Sequence, residues 1–152
     1  MRARIFEFVE RFQLEGYPFE PVPEAPWIPS LELRFGFRFP ELYRVLVTSY
    51  IFPEFDAGGL TFYANLNDGA YEDIGVAPFA DEYMGPWLVS NGFIQFARPD
   101  TGSYDPVCFD MNSNSENPAI LWFDHEDILQ DRAKVRYRMH SKSLEELIGA
   151  KA

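Results

Sequence analysis

The 152-residue chain predicts an α+β domain, a mostly antiparallel central sheet of about four to six strands flanked by helices, and three observations carry that prediction. Three apolar runs, at 93–97, 107–109 and 119–123, follow one another, each too short for a helix and rich in aromatic or β-branched side chains. Between them lie 99–103 and 110–118, rich in Pro, Gly, Asp, Asn and Ser, residues that bend backbone or bond to it locally. Helical spacing near both ends supplies the flanking layer.

Taken in order, Ile5, Phe8, Val9 and Phe12 recur at helical spacing over residues 3–14, with Glu7, Glu10 and Arg11 on the opposite face and Gly16 as the stop. Pro18, Pro21, Pro23, Pro26 and Pro29 crowd the next stretch, which is expected to be an extended arm pinned by Tyr17, Phe19, Trp27 and Ile28, without helix or central strand. Its spacing of three from Pro23 to Pro29 matches a polyproline turn, but the aromatic anchors favour packing on its own domain over recognition by another. Pro40 opens a second, mostly buried helix to about residue 50, whose polar stripe is Glu41, Arg44 and Thr48.

Leu60, Phe62, Ala64 and Leu66 alternate with Thr61, Tyr63 and Asn65, the period of a half-exposed strand, and 67–69 turns it. Residues 68–92 form a long acidic and aromatic loop in which short strands at 74–76 or 87–89 are candidates; a loop of that length in a compact domain is often functional. Of the three apolar runs, 119–123 lacks polar alternation and is expected centrally with both faces covered. Val135, Tyr137 and Met139 then alternate with Lys134, Arg136, Arg138 and His140, an edge strand with one basic face. Ser143 and Glu146 have capping-box spacing and open a last short helix.

One domain is expected, 1–152, with an N-terminal helix and proline-rich arm over 1–34 and a core over 35–149. A chain of this size buries roughly 68–70% of its unfolded surface, which needs no disulfide staple. Cys108, the single cysteine, lies inside a strand run and is expected as a buried thiol, which suits a reducing, cytoplasmic location. Glu7 and Glu10 interrupt any apolar leader, and no apolar stretch is long enough to span a membrane.

Net charge is −11, and its distribution matters more than its total. Residues 45–131 hold fifteen Asp or Glu against the single base Arg98. Such a segment repels phosphate backbones, so nucleic acid is not expected as a partner, whereas a basic protein would be steered toward it. Solubility alone is the competing explanation of the same acidity.

Chemistry-bearing patterns are sparse. His125, His140 and Cys108 have no metal-site spacing, and Asp110, Asn112 and Asn114 open like a calcium loop but meet Ser115 where the turn glycine belongs and Leu121 where the closing acid belongs. No phosphate cradle or nucleophile elbow occurs. No catalytic, metal or cofactor residues are therefore expected, although any two close carboxylates would suffice for hydrolysis.

Three blocks together resemble the SUKH superfamily, bacterial immunity proteins that also include a eukaryotic cell-wall and signalling regulator. Residues 35–43, Phe-Gly-Phe-Arg-Phe-Pro-Glu-Leu-Tyr, are similar to the family's glycine and hydrophobic-proline step into a buried helix. Residues 92–110 resemble its strand pair closing on an aspartate, and 120–126, Ile-Leu-Trp-Phe-Asp-His-Glu, its apolar strand followed by Asp-His-Glu, with 143–148 similar to its serine-capped terminal helix. Residues 50–53 depart from the Asn-Gly pair common after the helix, and the proline arm has no counterpart. The resemblance implies an α+β fold, no catalytic residues, and a function of neutralising a cognate toxin by binding it; many such toxins are nucleases with basic clefts.

The function expected is thus non-catalytic protein binding through an acidic surface, with a basic toxin domain as partner and no membrane or nucleic acid involved. A housekeeping interaction module without a toxin is the alternative. Partner-binding candidates are Glu54, Asp56, Asp68, Glu72, Asp73, Asp81 and Glu82, with Asp100 and Asp105 behind them.

Overall fold

The computed structural model describes residues 2–130 and 132–149. Helix α1 (Arg2–Leu14) buries Ile5, Phe8, Val9 and Phe12, the stripe that the spacing singles out, and Gly16 ends it at φ +96°. Strand β1 (Glu20–Pro21) follows, then α2 (Trp27–Phe35), α3 (Glu41–Ser49) and β2 (Tyr50–Ile51), which pairs with β1. The main sheet begins with β3 (Phe55–Ala57) and β4 (Leu60–Phe62). After α4 (Met84–Ser90) come β5 (Phe93–Pro99), β6 (Val107–Asp110), β7 (Ile120–Phe123), α5 (His125–Gln130), β8 (Tyr137–Ser141) and α6 (Leu144–Gly149).

The six strands β3 to β8 stand side by side in chain order, every neighbouring pair antiparallel. This is the α+β domain that the apolar runs predict, at the upper end of the expected strand count. Alternation splits the side chains between two faces. Leu60, Phe62, Ile94, Phe96, Val107, Phe109 and Ile120 join the main core with α1, α2, α3 and α6. Cys108, Leu121 and Phe123 point the other way into a smaller cluster with Leu88 of α4 and Ile128 of α5.

Several expectations change. The proline arm is not uniformly extended: Pro26 takes the N-cap of α2, and Pro29 is its third residue. The first helical turn has no intrahelical acceptor for its N–H groups, so a proline there forfeits nothing. Pro40 likewise caps α3 from outside, at φ −51° and ψ 141°, and is not a helical residue. Residues 87–89 belong to α4, not to a strand, and Asp73 makes only an isolated parallel bridge to Ala64. The alternating run at 60–66 is a strand through Phe62, continued by bridges at Ala64 and Asn65.

Strand β7 lies next to the sheet edge, with β5 and β6 central, and Trp122 is only partly covered. Strand β8 is an edge strand, as its basic residues suggest, with β3 at the opposite edge, but Tyr137 and Met139 are exposed with them because α4 and α5 do not reach over it. A bulge between Ile120 and Leu121 twists this edge and discourages pairing with other chains. At α6 the Ser143 hydroxyl accepts from Glu146 N at 3.2 Å, while the Glu146 carboxylate reaches back to Lys142 N at 2.8 Å, one residue before the cap.

The core is aromatic. Phe96 stacks on Phe109 at 4.0 Å and meets the edges of Phe62 at 5.2 Å and Tyr43 at 5.7 Å. The Tyr43 hydroxyl sits among these rings with no hydrogen-bond partner among the described residues, and burial, followed by the charge of Asp73, pushes its pKa up. Phe96→Ala is expected to cost about 3–5 kcal/mol in urea unfolding, since the site is closed on all sides. Tyr43→Phe deletes a buried hydroxyl that has no partner among the described residues, so the same measurement should find it neutral or up to about 1 kcal/mol more stable.

Candidate functional site

The two helical layers cover the sheet unequally. Helices α4 and α5 lie over β6, β7 and the start of β5 at Phe93, which leaves the outer face of β4 and of the rest of β5 to the long 66–83 segment. Between that segment and the sheet lies a cleft of about 320 Å³. Its floor is Tyr63 and Gln95, its acidic walls are Glu54, Glu72 and Asp81, and Arg98, Tyr71 and Tyr104 complete the rim.

Each of these residues is placed by a local rule. Tyr63 continues the outward alternation of Thr61 beyond β4, and its backbone N–H donates to Phe96 O at 3.0 Å. Gln95 faces the same side from β5, just before the register shift between Gln95 and Ala97 that turns Arg98 toward Thr61. Asp81 stands before α4, where its Oδ1 accepts from Tyr83 N at 2.8 Å and Met84 N at 2.7 Å. Glu54 pairs with Arg98 at 3.2 Å. Burial, followed by the nearby Cys108 thiol, pushes the Tyr63 hydroxyl well up, so it keeps its proton and can donate.

The sequence candidates divide. Glu54, Glu72 and Asp81 come together around the cleft. Asp56 is exposed on β3, bonded to the Thr61 hydroxyl at 2.6 Å, and Asp68 and Glu82 are exposed on the 66–83 segment. Asp100 is exposed in the β5–β6 turn, its N–H donating to Gly59 O.

Asp73 and Asp105 are corrections. Asp73 is 3% exposed, and its carboxylate accepts from Leu66 N, Asn67 N and Gly75 N at 2.8, 3.0 and 2.9 Å; it folds the loop from inside and presents nothing to a partner. Asp105 is half-buried between β6 and α5, where it accepts from Trp122 Nε1 at 2.9 Å, His125 N at 2.9 Å and the His125 ring Nδ1 at 2.6 Å.

Asp105, Asp124 and His125 bring one donor atom each within 4.8 Å of one another, the geometry of a small cation site. Their atoms are already engaged. Both Asp105 oxygens are used as described, Asp124 pairs with Arg136 at 3.1 Å and accepts from Glu126 N at 2.9 Å, and Nδ1 of His125 faces Asp105. A cation would have to displace these donors, so the cluster acts as a turn lock that joins β6, β7 and α5.

Sequence reasoning missed Tyr63, Gln95 and Arg98. One signal was available: Gln95 is the lone polar residue in the 93–97 run, and a polar side chain in a strand covered on both faces needs a reason.

Partial burial would raise the Asp105 carboxyl, but the bonds from His125 and Trp122 outweigh it and hold the pKa below its ordinary value of 3.8. A depressed folded-state value contributes stability above the unfolded value and loses it as pH falls through the folded one. Asp105→Asn should therefore be less stable than the parent at neutral pH and converge with it on acidification, checked by urea midpoints between about pH 2 and pH 7. No protein-family model matches the chain, and no curated protein matches it.

Proposed function

We propose that this chain is a SUKH-type immunity protein, a non-catalytic domain that neutralises a basic toxin domain by binding it through the acidic face around the β4–β5 cleft. The observation that carries the reading is a segregation of charge with geometry. Glu54, Glu72 and Asp81 converge on one cleft, Asp56, Asp68 and Glu82 are exposed on the elements that frame it, and Arg98 is the one base among the described residues that line the cleft, already paired to Glu54.

Such a face raises the encounter rate with a cationic partner and, once seated, occupies the place of an anionic substrate. Exposed tyrosines beside it, Tyr71, Tyr83 and Tyr104, are the side chains that protein interfaces favour. The order of the sequence blocks at 35–43, 92–110 and 120–126 supports the family assignment.

The test is capture of the partner encoded beside this gene, measured with purified proteins at rising salt. Affinity should fall with ionic strength, and reversing Glu54, Asp56, Glu72 and Glu82 to Lys together should weaken binding by at least about a hundredfold. Capture that survives reversal, with a flat salt dependence, would sink the electrostatic reading.

A further inference from the structure

The cleft has more than charge. Tyr63 is 6% exposed and Gln95 5% exposed, yet both line it. Gln95 Nε2 donates to the Tyr63 hydroxyl oxygen at 2.7 Å. That bond uses the oxygen as acceptor, leaving the Tyr63 O–H and the Gln95 Oε1 without partners among the described residues. Neither is a sealed, unpartnered atom; both open to the cleft, so its floor offers an acceptor and a hydroxyl within reach of a group that enters it.

The walls say what kind of group that is. Three carboxylates face one guanidinium, Glu54 is held by it, and the remaining acceptors are the Glu72 carboxylate, which has no partner among the described residues, and Oδ2 of Asp81, whose Oδ1 carries both cap bonds. The cleft is therefore net negative and rich in separated acceptors. Tyr71 and Tyr104 stand at the rim, 68% and 69% exposed, and although Tyr104 also meets the His125 ring at 6.3 Å, both leave aromatic surface in solvent beside the cleft for a flat cation.

We propose that the cleft seats an arginine side chain projected by the protein partner, with the guanidinium among Gln95 Oε1, Glu72 and Asp81 and its stem against the tyrosines. The inference rests on the protein-binding reading above and names the group that anchors it. Arginine fits better than lysine for a physical reason. A guanidinium is planar, weakly hydrated and offers five N–H donors in fixed directions, so it can stack on tyrosine while serving acceptors on different walls. An ammonium is a compact, strongly hydrated point charge that gains less from aromatic walls.

The experiment is a titration of the intact, isotope-labelled protein with N-acetyl-arginine amide, followed by NMR, alongside the lysine compound and the uncharged citrulline compound. The arginine compound should saturate at about 1–10 mM and move the signals of Tyr63, Gln95 and Arg98; the lysine compound should bind at least about threefold more weakly and citrulline not measurably. Glu72→Gln, an exposed change that does not threaten folding, should weaken arginine binding about threefold to tenfold, and Glu116→Gln in the distant β6–β7 loop should leave it unchanged.

No saturable shift at the cleft, equal binding of citrulline, or an equal loss in Glu116→Gln overturns the arginine seat. Such a failure beside salt-sensitive capture of the partner would leave the acidic-face reading standing. Saturable arginine binding beside salt-insensitive capture would overturn that reading instead.

Discussion

Asn65 is the constraint on which the arrangement depends. Its side chain is fully buried and spends every polar atom: Nδ2 donates to Val47 O at 2.9 Å and Tyr50 O at 3.0 Å, and Oδ1 accepts from Trp27 Nε1 at 3.0 Å. Its backbone N–H closes on Phe52 O at 2.8 Å. One amide thus ties the entry of α2, the exit of α3, strand β2 and the chain leaving β4. In a medium of low polarity such bonds are strong, and losing any of them strands a buried donor or acceptor. Asp73 extends the knot by gathering three backbone N–H groups of the 66–75 stretch.

That pair of polar anchors explains why a long segment, poor in regular structure, holds a defined shape over the sheet. Arg34 adds a third fastening, with its guanidinium 3.9 Å above the Phe79 ring and a bond to Gly75 O at 2.9 Å. On the helical side, Glu32 is buried against Arg44 at 3.2 Å and accepts from Phe39 N at 2.6 Å, which sets α2 against α3 through a charge-assisted contact. The cleft is a consequence of this bracing. Its floor belongs to the sheet, and its far wall hangs from Asn65 and Asp73.

A preformed, net negative concavity suits recognition by contact, because little ordering entropy is lost when a partner arrives. The acidic residues divide accordingly into those that shape the fold and those left to solvent. Asp73, Asp81 and Asp105 satisfy backbone donors and Glu54 neutralises Arg98; Asp56 and Asp68 each accept one local bond, from the Thr61 hydroxyl and Ala70 N, but stay exposed, and Glu72 and Glu82 keep exposed carboxylates in the same region. Counting carboxylates in a sequence merges these two classes.

Local sequence determined the strands β4 to β8, the amphipathic α1 and the serine-capped α6, because each depends on its own short apolar run or apolar spacing and on nearby turn or cap chemistry. The helix through Pro26 and Pro29 was hidden, since composition argues against it and only its position at a helix start permits it. Gln95 was visible as an anomaly, but its partnership with Tyr63 spans 32 residues of chain and exists only after β4 and β5 pair. Which acids are structural was likewise settled by the tertiary fold: a carboxylate turns inward when folding brings buried N–H groups within its reach, as at Asp73 and Asp105, and local sequence carries no record of those distant donors.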